Sequence, residues 1–278
     1  MIQNENLSNS DLGKPVTYSA NYDSNKLFAI PRHEKRAEIG INHELPFYGY
    51  DLWNHYEVSW LNQKGKPVVA LAEISYPADS VNIVESKSLK LYFNSLNNTH
   101  FVNEKAVAEI ISSDLENIIQ SKVEVKIIPL LSIQENLIVP HFEGFNLDSL
   151  DINCSNYEVM PSLLTIATNK VEETLNSNLL KANCLITNQP DWASVQIHYQ
   201  GPQINHEGLL AYLISFRNHN EFHEQCIERI FVDIMSNCKP ETLSIYGRFT
   251  RRGGLDINPF RSTQPCKKPY ANWRLIRQ

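Results

Sequence analysis

Stretches in which apolar and polar residues alternate predict several β-strands. Two of them, between Gly49 and Leu71, flank a Gln63-Lys64-Gly65-Lys66 turn, which is typical of an antiparallel hairpin. Shorter strand-like stretches occupy residues 80–84, 123–130 and 195–199. Because strands joined by tight turns pair antiparallel, the pattern indicates antiparallel sheets.

Helical segments are predicted between these strands. The clearest runs from Glu104 to Ile119 and places its apolar residues on one face of a 3.6-residue period. A second helix is expected to begin near Glu85, and a third to begin near Glu221 and to run to Met235. Residues 1 to about 45 are polar and irregular, and we expect them to wrap the surface of a core that starts later.

The second half of the chain repeats the order of elements in the first half. Four identities recur at one constant spacing, with Leu89, Tyr92, Ser95 and Asn98 matching Leu209, Tyr212, Ser215 and Asn218. Asp114 and Asp233 nearly continue this register. Upstream we align Pro77, Ser80, Val81 and Ile83 with Pro190, Ser194, Val195 and Ile197. The chain is therefore predicted to hold two tandem α+β modules, residues 1–140 and 141–278, each an antiparallel sheet with a pair of helices on one face.

The net charge of the chain argues against some classes of binding partner. With a net charge of -6 and a pI near 5.9, the chain lacks the excess of Lys and Arg that a general binder of nucleic acid or anionic membranes needs. No apolar run approaches a membrane span and no secretory signal is visible, so we expect a cytoplasmic protein. The spacing of the five cysteines indicates neither a disulfide framework nor a thiolate zinc site. They are Cys154, Cys184, Cys226, Cys238 and Cys266.

Cys184 and Asp191 are the first candidates for chemistry. A short apolar run and an Asn-Gln-Pro-Asp turn link them, so a thiol and a carboxylate can face each other across one tight connection. That arrangement suits a nucleophile with a proton donor beside it. The pattern alone also fits a small buried cysteine and an ordinary turn aspartate.

Two further segments could bind an anion. Glu85-Ser86-Lys87-Ser88 lies where a strand gives way to a helix, so its residues could cap the helix or leave N–H groups for a phosphate. Lys87 and Lys90 favour an anionic ligand, because lysine is mildly unfavourable at a helix start. Arg251-Arg252-Gly253-Gly254 fits either phosphate recognition or a solvated basic turn. The chain has no Gly-x-Gly-x-x-Gly or P-loop pattern, so a nucleotide would not be held in a Rossmann or Walker manner.

His219 and His223 are four residues apart, so on one helix they could share a face and bind a metal. The His-Glu-x-x-His pattern is absent and no third ligand is obvious. His223 could instead be a structural histidine, or it could bind a polar ring together with Glu224.

In combination, four segments resemble the family of NADPH-dependent 7-cyano-7-deazaguanine reductases, the nitrile reductases of queuosine biosynthesis. The segments are residues 85–95, 183–192, 222–226 and 251–259, and the resemblance extends over nearly the whole chain. It implies the tunnelling fold, in which antiparallel sheets with helix pairs assemble into barrels. It also implies reduction of a nitrile to a primary amine with two NADPH, and the two-module form suggests a homodimer.

The resemblance also implies roles for individual residues. Cys184 matches the nucleophile that forms a covalent thioimide with 7-cyano-7-deazaguanine, and Asp191 matches the acid that protonates the nitrile nitrogen. The residues implied to hold the deazaguanine are Ile83, Val84, Glu85, His223 and Glu224. The residues implied to contact NADPH are Ser86, Lys87, Arg251, Arg252 and Gly253.

Two other functions stay open at this point. A metal-dependent cyclohydrolase or related pterin enzyme shares the tunnelling fold, and its ligand candidates here would be His219, His223 and Cys226. A non-catalytic purine-binding or assembly module is the third hypothesis. The reductase hypothesis needs no metal, and it predicts a small-molecule substrate without direct contact to nucleic acid or membrane.

Overall fold

Long antiparallel strands and two pairs of helices dominate the computed structural model, which describes residues 21–133, 138–265 and 272–278. The chain divides into two units. Unit 1 holds the described residues of Met1–Ala37, Leu52–Asn136 and Arg251–Asp256, and unit 2 holds those of Glu38–Asp51, Leu137–Thr250 and Ile257–Gln278. The predicted single boundary near residue 140 therefore differs from the observed division, because segments 38–51 and 251–256 each belong to the unit of the opposite half.

Unit 1 combines strands with a helix pair. Its elements are β1 (Ala29–Pro31), α1 (Arg32–Ala37), β2 (Tyr48–Leu61, from residue 52 onward), β3 (Pro67–Pro77), β4 (Asn82–Val84), α2 (Ser86–Leu96), α3 (Glu104–Ile119) and β5 (Glu124–Pro129). The strand order is β5-β3-β2, and β1 pairs antiparallel with β4. The predicted hairpin is confirmed, because β2 and β3 are neighbours joined by residues 62–66.

The helix α3 confirms the predicted periodicity and its boundaries. It buries Val107, Ile111, Leu115 and Ile119, which are four residues apart, so one stripe packs toward β4 and β5. By contrast, β1 and α1 lie where irregular chain was expected. Segments this short contain too few residues for a period to be recognised.

Unit 2 follows a similar plan. Its elements are β6 (Ile138–Val139), β7 (Phe145–Asn146), β8 (Ile166–Asn183), β9 (Pro190–Ile204), α4 (His206–Ser215), α5 (His223–Cys238), β10 (Thr242–Phe249), β11 (Leu255–Ser262, from residue 257 onward) and β12 (Arg274–Leu275). The strand order is β11-β10-β9-β8-β7, antiparallel throughout except that β7 runs parallel to β8. The predicted alternation in β9 is confirmed by four fully buried residues, Ala193, Val195, Ile197 and Tyr199. The helix α5 packs against β9 and β10.

Matching hydrogen bonds recur inside the two units. The Tyr92 hydroxyl donates to Asp114, and the Tyr212 hydroxyl donates to Asp233, both at 2.6 Å. Ser95 likewise donates to the carbonyl oxygen of Tyr92, as the equivalent serine does in unit 2, again at 2.6 Å in each case. These bonds involve the residues that the constant spacing aligned, so they support an internal duplication.

The upstream part of the predicted alignment is wrong. Pro190 begins β9, whereas Pro77 ends β3, and Ile83 lies in the short strand β4. The long pair β8–β9 corresponds in order to β2–β3 instead, and both β3 and β9 begin with a proline. The local identities were misleading because they ignored the hairpin, which pairs the strands.

None of the helices in the described part of the chain has the length and apolar character that a membrane-spanning helix needs. The described cysteines carry free thiols at Cys154, Cys184, Cys226 and Cys238, whereas Cys266 lies outside the described residues.

Candidate active site

Cys184 and Asp191 lie at one end of the β8–β9 hairpin. Asn183 is opposite Pro190, and Ala182 is opposite Asp191. The Cys184 N–H continues this ladder by donating to the carbonyl oxygen of Gln189 at 2.8 Å. Because opposed residues share a face and side chains alternate with a period of two, the thiol, two residues beyond Ala182, and the Asp191 carboxylate project from the same face.

The predicted Asn-Gln-Pro-Asp turn is wrong in its position. The turn occupies residues 185–187, and Asn188 has a left-handed φ of 56°. Asp191 belongs to β9, where it extends the buried face formed by Ala193 and Val195 and is itself 4% exposed. A carboxylate thus takes a position that the alternation of the strand reserves for apolar side chains, which indicates a role other than turn formation.

The first turn of α5 brings two more predicted residues to this hairpin end. Nε2 of His223 lies 3.4 Å from Oδ1 of Asp191, which is an ion-pair distance when the imidazole is protonated. The imidazole packs edge-to-face on Phe249, with ring centroids 4.3 Å apart. The next residue, Glu224, is also buried. A thiol, two carboxylates and an imidazole therefore belong to two adjoining elements of unit 2.

The premise that His219 and His223 share one helix face, on which the predicted metal site depended, is wrong. His219 precedes α5 and follows a short 3-10 helix, so it does not share a helix face with His223. Its Nε2 lies 3.3 Å from Glu221 instead. Among the residues that the structure describes, no group of three or more His, Cys, Asp and Glu side chains could hold a metal ion. Cys226 is fully buried, and this burial raises the pKa of its thiol well above the ordinary value.

In unit 1, Glu85 caps its own helix. Its carboxylate accepts the backbone N–H groups of Lys87 and Ser88, both at 2.7 Å. These N–H groups are therefore bonded to Glu85, which agrees with the capping alternative and not with N–H groups left for a phosphate. Burial raises the pKa of the Glu85 carboxyl, while these two bonds and the charge of Lys90 act in the opposite direction. The Ser86 hydroxyl also donates to Oε1 of Glu85 at 3.4 Å, and since a carboxylate has about four acceptor positions, capacity for a ligand is left.

The other predicted residues of unit 1 flank Glu85 on both sides. Ile83 and Val84 are buried in β4, where they pair with Ile30 and Ala29 of β1. Ser86 and the partly exposed Lys87 begin α2.

The turn at residues 251–254 exposes positive charge beside a permissive backbone. The Arg251 guanidinium lies 5.0 Å from the ring centroid of Tyr56, and the Arg252 N–H donates to the carbonyl oxygen of Leu255 at 2.8 Å. Gly253 has a φ of +56°, and a Cβ built on it would lie 3.3 Å from Nζ of Lys90.

The turn therefore carries Arg251 and Arg252, with the Lys90 side chain beside Gly253 and the Glu57 carboxylate beside Gly254. Such cations beside exposed glycine backbone fit the phosphates of a dinucleotide. Lys90 is not among the residues that the resemblance implies for NADPH, although the sequence analysis had singled it out with Lys87 as favouring an anionic ligand.

Comparisons with known proteins show the family to which the chain is similar. Residues 18–127 match the family model described as nitrile reductase, 7-cyano-7-deazaguanine-reductase N-term, and residues 190–268 match the model described as QueF-like protein. The chain is 60% identical to the NADPH-dependent 7-cyano-7-deazaguanine reductase of Legionella pneumophila (strain Lens) over 276 residues, which cover 99% of this chain and 97% of that protein. A protein with the same name from Polaromonas sp. is 55% identical over 272 residues, covering 97% of this chain and 98% of the relative. A third, from Cupriavidus metallidurans, is 55% identical over 273 residues with the same coverage.

Proposed function

The chain belongs to the family of NADPH-dependent 7-cyano-7-deazaguanine reductases, and from this premise we propose that it reduces the nitrile of 7-cyano-7-deazaguanine to the primary amine of 7-aminomethyl-7-deazaguanine, a step of queuosine biosynthesis. The observation that supports the proposal is the pairing of Ala182, two residues before Cys184, with the buried Asp191, whose Oδ1 lies 3.4 Å from Nε2 of His223. The cyclohydrolase alternative has no support in the arrangement of the described histidines and cysteines.

Cys184 is the proposed nucleophile. Thiolate is the reactive form of cysteine, and Asp191 is the nearby base that can take the thiol proton. Sulfur then bonds to the nitrile carbon while one pair of π electrons moves to nitrogen, and Asp191 returns its proton to that nitrogen. The product is a neutral thioimide: Asp191 is again a carboxylate, the former thiol proton lies on the nitrogen, and Cys184 carries the new C–S bond in place of its S–H bond.

The C–S bond between the substrate and Cys184 must then break. NADPH, when bound, supplies hydride, and two equivalents with two protons complete the conversion of nitrile to amine. Cys184 has to leave as thiolate between the two reductions, because only its departure restores a C=N bond. Burial of Asp191 and of the neighbouring Glu224 favours a site from which water is excluded, which protects that bond from hydrolysis.

Recognition of the deazaguanine is assigned to carboxylates. Adjacent N–H donors on the guanine-like edge can bond to the two oxygens of Glu224, and His223 is assigned to the same ring. We assign Glu85 a second contact with the substrate, supported by the acceptor capacity that its capping bonds leave. Ile83 and Val84 complete the proposed substrate contacts as apolar residues.

NADPH binding is assigned to residues of unit 1. Arg251, Arg252 and Gly253 would hold its phosphates, together with Ser86 and Lys87 at the start of α2. The close approach of Lys90 to Gly253 supports this assignment, because it adds a cation at the turn. We further propose that each unit is a tunnelling-fold module and that the protein is a homodimer, since a barrel needs more modules than one chain supplies.

The adduct on Cys184 provides the decisive test. Protein mixed with 7-cyano-7-deazaguanine in the absence of NADPH should gain the mass of one substrate molecule on the Cys184 peptide. Cys184→Ala should lose the adduct, whereas Cys154→Ala, which changes another free thiol, should keep it. Asp191→Asn should still bind substrate while nitrile-dependent NADPH oxidation falls at least about a hundredfold. An adduct that persists in Cys184→Ala would refute the proposed nucleophile, and NADPH oxidation that is independent of the nitrile would refute the reaction.

A further inference from the structure

The residue before the nucleophile is held from both sides by the chain. The N–H of Asn183 donates to the carbonyl oxygen of His219 at 2.8 Å, and the N–H of Glu221 donates to the carbonyl oxygen of Asn183 at 3.0 Å. Glu221 is buried and accepts three hydrogen bonds from the guanidinium of Arg229. Segment 219–221 therefore forms a fixed backbone clamp on Asn183.

The same clamp exists in unit 1, where no nucleophile is proposed. The N–H of Leu61 donates to the carbonyl oxygen of Thr99, and the N–H of Phe101 donates to the carbonyl oxygen of Leu61, both at 2.9 Å. Leu61 ends β2 as Asn183 ends β8. Because Leu61 has an apolar side chain, the duplicated fold needs only the backbone of the clamped residue.

The hairpin loops that follow the clamps are closed by similar pairs of backbone bonds, although the loop of unit 2 is one residue longer. In unit 1 the Asn62 N–H donates to the carbonyl oxygen of Lys66, and the Gly65 N–H donates back to the carbonyl oxygen of Asn62, both at 2.9 Å. In unit 2 the Cys184 N–H donates to the carbonyl oxygen of Gln189, and the Asn188 N–H donates back to that of Cys184 at 3.1 Å. Cys184 therefore takes the place of a turn asparagine, and Asn188 takes the place of Gly65.

The replacement of a glycine by Asn188 is unfavourable for the backbone alone. Both residues have left-handed φ values, +77° at Gly65 and +56° at Asn188. Glycine adopts this region freely, whereas residues with a Cβ do so at a cost. Asparagine tolerates this region better than most residues with a Cβ, and its side chain can form hydrogen bonds that glycine cannot.

The side chain of Asn188 is part of a chain of three amides. Its Oδ1 accepts a hydrogen bond from Nδ2 of Asn220, and Oδ1 of Asn220 accepts one from Nδ2 of Asn183 at 3.2 Å. The same Asn220 nitrogen lies 3.5 Å from the carbonyl oxygen of Cys184. Asn220 thus connects both ends of loop 184–189 to the segment that leads into α5 and its first residue, His223.

We infer that Asn183, Asn220 and Asn188 are positioning residues that fix the Cys184 loop relative to the first turn of α5. The inference rests on the proposed function, because it assigns these residues an effect on thioimide formation. The backbone clamp maintains the fold, as it does in unit 1, and the three amides set the orientation of the thiol. Their loss should therefore slow the attack of sulfur on the nitrile without weakening the fold.

The test exchanges the left-handed residues of the two loops. Asn188→Gly should slow thioimide formation about tenfold, equivalent to about 1.4 kcal/mol, whereas its Tm should equal or exceed that of the wild type. The Kd for substrate, measured in a Cys184→Ala background, should be unchanged. Gly65→Asn is the matched control. Its Tm should fall, because a Cβ at a φ of +77° is strained, but it should form the thioimide at the wild-type rate, since a Cβ at Gly65 meets nothing within 4 Å.

Three further variants separate positioning from stability. Asn188→Asp keeps an acceptor for Asn220 and should retain the rate to within about threefold, while Asn220→Ala should be as slow as the double variant Asn188→Gly/Asn220→Ala. If wild type forms the thioimide and Asn188→Gly matches its rate, the positioning inference fails while the proposed function stands. If the wild type forms no thioimide, the proposed function fails and this inference fails with it.

Discussion

The two tyrosine–aspartate bonds of the duplicated fold predict different effects for the same substitution. Tyr212 is fully buried, and its hydroxyl donates to Oδ2 of Asp233 at 2.6 Å. Tyr212→Phe removes this donor without changing the volume of the ring, and it leaves a partly buried carboxylate without that bond. Hydrogen bonds to charged groups contribute about 1.5–3 kcal/mol, so we expect a loss of about 2 kcal/mol in the free energy of unfolding at neutral pH.

The equivalent change in unit 1 should be milder. The Tyr92 hydroxyl donates to Oδ2 of Asp114 at the same distance of 2.6 Å. Asp114 also accepts the hydroxyl of Tyr22 at 2.8 Å, so Tyr92→Phe leaves the carboxylate with a second donor. We therefore expect a loss of about 1 kcal/mol for Tyr92→Phe, roughly half of that for Tyr212→Phe.

The pH dependence of the stability lost in Tyr212→Phe provides a second measurement. Burial raises the pKa of Asp233 above its ordinary value of 3.8, while the Tyr212 bond and the charge of Arg229 lower it. The folded state therefore holds this proton more tightly than the unfolded state, and Asp233 reduces stability as the pH rises from 3.8 through its folded pKa. Tyr212→Phe removes a bond that favours the carboxylate, so its deficit should shrink on acidification as Asp233 becomes protonated.

The measurement is urea unfolding of both variants and the wild type, followed by circular dichroism at about pH 7 and about pH 4.5. Equal slopes against urea are required before the midpoints are compared. The reasoning is refuted if Tyr92→Phe loses as much stability as Tyr212→Phe, or if the deficit of Tyr212→Phe grows on acidification.

Two further predictions concern NADPH and assembly. Arg251→Ala and Arg252→Ala should each raise the KM for NADPH about tenfold while leaving thioimide formation unchanged, because each removes one cation from the turn and none from unit 2. Steady-state NADPH oxidation measures the effect, and an unchanged KM in both variants would contradict the phosphate assignment. Light scattering of the purified protein should give the mass of two chains, and a mass of one chain would contradict the homodimer.

The periodicity of apolar residues predicted correctly those elements in which each side chain has only to face either the core or the solvent. The helix from Glu104 to Ile119 and the buried face of β9 were both predictable, because each side chain faces either the core or solvent with a fixed repeat. The short elements β1 and α1 were not, although their residues are held by distant partners. Arg36, for example, donates to the carbonyl oxygen of Ala78 at 2.6 Å, and no local pattern encodes that contact.

In the candidate site, too, contacts between residues distant in sequence determine structure that local patterns did not predict. The spacing of His219 and His223 suggested one helix face, but segment 219–221 pairs with Asn183, which is distant in sequence, and α5 begins only afterwards. Asp191 was expected in a turn because the Asn-Gln-Pro-Asp residues favour turns, yet pairing with β8 extends β9 through it. Residue identities indicated the chemistry, whereas tertiary pairing determined which backbone carries it.

The duplication identifies where one copy departs from the requirements of the fold. Unit 1 has a turn asparagine at 62, a left-handed glycine at 65 and the helix cap Asn103, which accepts the N–H of Ala106. The corresponding residues in unit 2 are Cys184, Asn188 and Phe222, and the last has no polar side chain with which to cap α5. A lost cap costs about 1 kcal/mol, and a left-handed residue with a Cβ adds a further cost. These departures coincide with the nucleophile, its loop and the residue before His223, so the unfavourable local choices mark the residues that are proposed to carry the reaction.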